Sequence, residues 1–330
     1  MRQWLLAAAV VLATAAQAAS TDTAPAREPL ATREVLVSRW AEPGSRFVTV
    51  DGARVHYVLE GKGEPVVLLN ASFMGLQSWR PVAEKLAATH QVLRFDFPGV
   101  GLTGPDPVDP SVDRNVDLLG KLTRQLGIER FALVGTSSGG IVAFRFAAAQ
   151  PARVSRLMLI NSAGMPRTAA TNPLRRDAAG NFVAEGPRSH DFWQKSLAGN
   201  FGDPTRLPSW LVDVTYDLNR REGLEAEGKL FLKGFSTGDP RASLSQIRAP
   251  TLILWGGSNI TVSPLEADVI EHWMTSAPTV TKKYPGVGHY PYVETPDQIY
   301  ADLEAFLGGR FDADLRITAR LKPPGPGVAQ

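Results

Sequence analysis

Apolar positions in this chain fall into two rhythms that alternate along most of its length. Short, nearly continuous apolar runs of strand length are separated by stretches in which apolar residues return every three or four positions, the spacing of a helix with one buried face. Read in order, the pattern predicts strands at Arg54–Leu59 and Pro65–Leu69, a helix around Pro81–Ala88 and a strand at Val92–Phe95. A helix near Asn115–Leu126, a strand at Phe131–Val134, a helix over Ser138–Ala149 and a strand at Val154–Ile160 follow. The rhythm breaks between Ala163 and Gln246, where Gly, Pro and charged residues mix with Phe182, Phe192, Trp193, Trp210, Tyr216, Phe231 and Phe235. This stretch reads as a mostly helical insertion. The pattern then resumes with a strand at Thr251–Trp255, a helix near Glu266–Met274, a strand at Val280–Tyr284 and a helix over Pro296–Leu307. A parallel strand pair needs a crossover, which the intervening helices supply, and continuous apolar runs imply a sheet covered on both faces. The expected fold is therefore α/β, a mainly parallel central sheet with helices on both faces and a helical insertion.

The chain ends read differently. Arg2 precedes an uncharged run from Trp4 to Ala15, and the small residues Ala16-Gln17-Ala18-Ala19 follow, the pattern of a signal peptide cut near Ala18 or Ala19. The run falls short of the roughly 20 residues a spanning helix needs, so the expectation is export to the periplasm or medium without stable membrane insertion. Residues 1–19 are thus read as the signal, 20–45 as a polar, Pro-dotted arm, and 46–162 as the first part of the α/β core. Residues 163–246 are the insertion, 247–309 the second part of the core, and 310–330 a tail ending in Pro323-Pro324-Gly325-Pro326-Gly327.

Composition narrows the function classes. With 44% hydrophobic residues among 330, the chain can bury a sizeable core, which it needs because it has no cysteine with which to form disulfides. Its 35 basic and 33 acidic residues are interspersed, leaving neither a basic face for nucleic acid nor a polybasic membrane patch. No His, Asp and Glu cluster has metal-ligand spacing, so neither a metal nor a cofactor is expected, and the partner expected is a small-molecule substrate.

The chemistry concentrates around Gly135-Thr136-Ser137-Ser138-Gly139. With 30 glycines in the chain the G-x-S-x-G pattern is weak alone, but here it falls between an apolar strand and a helix. A serine at such a turn has an exposed hydroxyl, and the helix that follows points free N–H groups at the charge developing during attack. Among five histidines, His289 stands apart because Gly286-Val287-Gly288-His289 follows the last strand, where loops at the carboxyl ends of a parallel sheet meet. His56, His90, His190 and His272 sit in a strand, a turn, the insertion and a helix, without a comparable setting. Gly99, Gly101 and Gly104 also satisfy the dinucleotide pattern G-x-G-x-x-G, yet Pro105, Pro107 and Pro110 delay the helix whose N-terminus would hold a pyrophosphate.

Together these residues resemble the α/β-hydrolase family from about Phe47 to Leu307. Pro65–Leu69 with Asn70-Ala71-Ser72-Phe73 resembles its strand and oxyanion loop, Asp96-Phe97-Pro98-Gly99-Val100-Gly101 its D-x-x-G-x-G turn, Gly135–Gly139 its elbow, and Gly286–His289 its histidine loop. The resemblance implies that residues 163–246 form a cap whose aromatics line the pocket. It also implies a serine hydrolase cleaving a small or medium ester through an acyl-enzyme, with Ser137 as nucleophile, His289 as base, and the backbone N–H groups of Ser72 and Ser138 as oxyanion hole. Two positions depart from it. Asn259 stands where the family has the aspartate that orients the histidine, and Asn161 stands at the alternative position of that acid. Asn70-Ala71 replaces His-Gly before the oxyanion loop. Three readings of the third member stay open: Asn259 as orienter, a carboxylate from Glu266, Asp268 or Glu294, or the loss of fast hydrolysis in favour of a binding role. C–C bond hydrolases and aminopeptidase-like or haloperoxidase-like members share the same motifs.

Overall fold

The computed structural model describes residues 29–166, 188–224, 226–227 and 236–316. The signal segment at 1–19, Phe182, Phe231 and Phe235 of the insertion, and the proline-rich tail lie outside the described residues. From Ala31 onward the elements are α1 (Arg33–Trp40), β1 (Ser45–Val50), β2 (Ala53–Glu60), β3 (Pro65–Leu69), α2 (Arg80–Leu86) and β4 (Gln91–Phe95). Then come α3 (Val112–Gln125), β5 (Phe131–Thr136), α4 (Ser138–Ala149), β6 (Val154–Ile160), α5 (His190–Ala198) and α6 (Ser209–Leu218). The chain continues through α7 (Pro240–Gln246), β7 (Thr251–Gly256), α8 (Leu265–Trp273), β8 (Thr279–Tyr284), α9 (Pro291–Glu294) and α10 (Pro296–Leu307). Among the described residues no helix is long and apolar enough to cross a membrane.

The strands form one eight-stranded sheet in the order β1-β2-β4-β3-β5-β6-β7-β8. The β1–β2 and β2–β4 pairs are antiparallel and every other pair is parallel. Alternate strand residues face opposite layers: Val67, Leu69, Leu133, Leu157, Leu159 and Ile253 join Leu118, Leu122, Ile141, Phe144, Leu244 and Ile270 of α3, α4, α7 and α8. Val66, Leu68, Val134, Met158, Ile160 and Leu252 join Val82, Leu86, Leu303 and Phe306 of α2 and α10. Both faces are therefore covered, as the continuous apolar runs require.

In its described part, the stretch read as a polar arm carries α1 and the first residue of β1. Thr32 caps α1 by accepting a hydrogen bond from Val35 N at 3.4 Å, Leu36 is buried, and Trp40 Nε1 donates to Asp217 on α6 at 2.8 Å. Leu36 alone of α1 is fully buried, so its apolar stripe is too narrow to announce a helix by periodicity. β1 likewise begins at Ser45, where the sequence reading has the arm. The described part of 163–246 carries α5, α6 and α7.

Candidate active site

Ser137 sits between β5 and α4 with φ 51° and ψ −121°. That is a sparsely populated conformation for a residue with a Cβ, costing on the order of 1–3 kcal/mol, and it persists only where neighbours over-determine it. They do so here: Ser137 N donates to Ile160 O at 3.1 Å, and its carbonyl accepts from Gly140 N and Ala163 N, each at 3.0 Å. The two glycines of the motif are required by space. A Cβ on Gly135 would stand 2.5 Å from Gly139 O, and one on Gly139 would stand 2.5 Å from Asn70 O. α4 thus begins hard against the end of β3. Asn70 is followed directly by the Ala71–Met74 turn, which carries Ser72.

The turn is closed by Met74 N donating to Ala71 O at 3.2 Å, and its positive φ of 66° falls on Phe73 rather than on Ala71. Asn70, in place of the family's histidine, is buried and donates through Nδ2 to Phe95 O at 3.1 Å, joining the ends of β3 and β4.

His289 is buried and lies after β8, where its Nδ1 meets Asn259 Oδ1 at 3.2 Å. The same amide oxygen accepts from Thr261 N at 3.0 Å and Val262 N at 3.1 Å. Backbone N–H groups donate only, so they hold the oxygen of Asn259, and not its NH2 group, toward the imidazole. His289 must then carry its proton on Nδ1, which leaves Nε2 as the proton acceptor. Asn259 Nδ2 is buried without a hydrogen-bond partner among the described residues.

Asn161 joins the strand end beside Ser137 to the loop that carries His289. It follows Ile160, the acceptor of the Ser137 amide, and at φ 45° its Nδ2 donates to Gly288 O at 3.1 Å and His289 O at 2.9 Å. Its Oδ1 accepts from Gly256 N at 2.9 Å. A carboxylate could not make both donations, which explains an amide at the position where the sequence alone shows only a missing acid. Of the other carboxylates considered, Asp268 is paired with Lys283 Nζ at 2.8 Å and Glu294 accepts from backbone amides, while Glu266 lies in the first turn of α8.

A second serine–histidine–carboxylate chain lies at β1 and β2, and sequence reasoning missed it. Ser45 Oγ meets His56 Nε2 at 2.8 Å, and His56 Nδ1 meets Asp96 Oδ2 at 2.7 Å with both side chains fully buried. Asp96 also accepts from Leu76 N at 2.7 Å and Leu102 N at 2.9 Å. A Cβ on Gly101 would stand 2.1 Å from its carboxylate, so this glycine of the G-x-G-x-x-G pattern is spent on packing around Asp96, and the next helix begins only at Val112. The pairing joins residues far apart in sequence, which no local pattern reveals. Unlike Ser137, which directly precedes α4, Ser45 begins an edge strand. We read these contacts as a structural knot that holds the D-x-x-G-x-G turn against the segment after the Ala71–Met74 turn.

The aromatics of α5 reach the Ala71–Met74 turn, with Phe73 and Trp193 ring centroids 5.7 Å apart and Phe192 5.4 Å from Trp193. Among the described residues no group of three or more His, Asp and Glu is placed to hold a metal ion.

A strained serine between a parallel strand and a helix, with a loop histidine after the last strand, defines the chain as an α/β protein of the nucleophile-elbow class. The family described as the alpha/beta hydrolase fold matches residues 64–296, and the chain belongs to it. It is 34% identical over 234 residues to a 2-hydroxy-6-oxononadienedioate/2-hydroxy-6-oxononatrienedioate hydrolase of Cupriavidus pinatubonensis, covering 64% of this chain and 78% of that one. It is 26% identical over 260 residues to the pimeloyl-[acyl-carrier protein] methyl ester esterase of Nitrosomonas europaea, covering 77% of this chain and 99% of that one. Among solved structures, a meta-cleavage product hydrolase from Pseudomonas fluorescens superposes with a TM-score of 0.71 at 20% identity, covering 80% of this chain and 98% of that one, a likeness of fold.

Proposed function

We propose that the protein is a serine hydrolase that cleaves a small or medium carboxylic ester through an acyl-enzyme. The observation that carries this reading is the pinned Asn259 oxygen, which engages His289 Nδ1 and leaves Nε2 to act as the proton acceptor. Ser137 Oγ attacks the carbonyl carbon as His289 takes its proton, and the oxyanion forms against the N–H groups of Ser72 and Ser138. Collapse expels the alcohol, which receives that proton, and water activated by His289 then releases the acid and restores Ser137.

The esterase of N. europaea supports this chemistry by likeness. A second reading, cleavage of a 2-hydroxy-6-oxo-dienoate of the kind named for the C. pinatubonensis relative, draws on the higher identity there. A panel of esters of graded acyl length, run beside such a dienoate on wild type and Ser137→Ala, tests both. Ester turnover abolished in the variant supports the first, and turnover of the dienoate alone supports the second. No Ser137-dependent turnover would leave the fold as a binding protein. We further propose export directed by Arg2 and the Trp4–Ala15 run, and a cap formed by residues 163–246 over the site. Mass determination of the N-terminus of the mature protein tests the first of these.

A further inference from the structure

The histidine loop is fastened by a group outside the proposed triad. Glu294 at the end of α9 is buried, and both of its carboxylate oxygens are used. Oε2 accepts from Gly288 N at 2.8 Å and Gly202 N at 3.1 Å, while Oε1 accepts from Asp203 N at 2.9 Å. Gly288 is the residue before His289, whereas Gly202 and Asp203 belong to the segment that follows α5 in the insertion.

Other contacts close the same junction. His289 N donates to Asn200 O at 2.6 Å, and Asn200 Oδ1 accepts from Thr261 Oγ1, on the residue whose amide helps to pin Asn259. The two backbones approach too closely for side chains: a Cβ on Gly202 would stand 2.0 Å from Gly286 O, and one on Gly288 would stand 2.2 Å from Asn200 O. Three N–H groups converging on one carboxylate call for an acceptor at every position. Glutamine cannot meet that demand, because its NH2 group would face a donor.

We propose that Glu294 is a positioning residue for His289: it clamps the 200–203 segment to the histidine loop, so that the base keeps its register with Ser137 only while that segment is seated. The proposal rests on the serine-hydrolase reading for its effect on rate, but the clamp itself is testable without turnover. Glu294→Gln is expected to slow turnover by about 10- to 100-fold, the cost of a base displaced by about an ångström, with KM changed by less than about twofold. Amide hydrogen exchange followed residue by residue supplies the second readout. In the wild type Gly202 and Gly288 are expected to share one protection factor, and in the variant both are expected to exchange faster while Leu133 on β5 is unchanged.

An unchanged kcat in a folded variant overturns the proposal, as does a fall in kcat fully accounted for by the unfolded fraction. If the variant does not fold, wild-type exchange decides: common protection supports the clamp, and unrelated rates at Gly202 and Gly288 overturn it. Absence of ester turnover in the wild type would count against the serine-hydrolase reading, and exchange would still judge the clamp.

Discussion

Asn259 presents one oxygen to three N–H groups, and that convergence separates two effects usually lost together when asparagine replaces the acid of a triad. In a serine protease the exchange costs about 10^4 in turnover because the amide favours the wrong histidine tautomer. Here Thr261 N and Val262 N fix the amide, so the tautomer is right and only the negative charge is missing. The 3.2 Å contact to His289 suits a neutral acceptor, since charge-assisted bonds run shorter. Asn259→Asp keeps an acceptor for the same three donors and places its second oxygen where Nδ2 has no partner. Turnover of a good ester is expected to rise by at least about tenfold and by less than the roughly 10^4 of the protease case. Steady-state kinetics check this, and an unchanged or lower kcat would count against Asn259 as the orienter. The knot at His56 predicts the opposite kind of effect. His56→Phe leaves Asp96 and Ser45 each short of a buried partner and should cost about 1–3 kcal/mol in urea unfolding. At this scale Ser137 and His289 are legible in the sequence because local punctuation marks them. Asn161 and His56 are not, since their roles lie in bonds to residues distant in sequence.

Among the elements, α4 is the one whose placement the site depends on most. Gly139 lies against Asn70 O, so Gly139→Ala must push the helix N-terminus away from the end of β3 and the proposed oxyanion turn that follows it. Turnover in this variant is expected to drop by about 100-fold or more, on the order of the loss of one oxyanion donor, checked against a thermal unfolding curve that shows the variant folded. The Ser138–Ala149, Val154–Ile160 and Pro296–Leu307 elements match the sequence pattern residue for residue, because long or fully apolar stretches signal their period strongly. α1 and α9 escape it for the converse reason. α1 buries Leu36 alone, and the four residues of α9 are too few to show any period. Yet α9 carries Glu294, so an element invisible in the pattern holds the residue proposed to position the base.

For the whole molecule, two apolar layers on either side of one sheet leave its carboxyl edge as the place where polar side chains gather. Several of the buried groups near that edge are tyrosines. Burial pushes the hydroxyls of Tyr284, Tyr290 and Tyr292 well above the ordinary phenol range, with Asp302 adding to the effect at Tyr284. A folded-state pKa above the unfolded value of about 10 stabilises the fold fully below that pH, and the contribution is lost as pH rises above it. The urea midpoint should therefore be lower at pH 11 than at pH 8. The fall should be shallower in Tyr290→Phe, and equal midpoints at the two pH values would contradict the assignment.

Every step of the proposed chemistry depends on Ser137 as the nucleophile, and the half-buried Ser45, paired with His56, offers a rival hydroxyl in the same molecule. Labelling the wild-type protein with a fluorophosphonate ester, followed by peptide mapping, tests the claim most directly. The predicted result is one phosphonyl adduct, on Ser137, absent from Ser137→Ala. No adduct under conditions that modify a control esterase, or an adduct on Ser45, would contradict it.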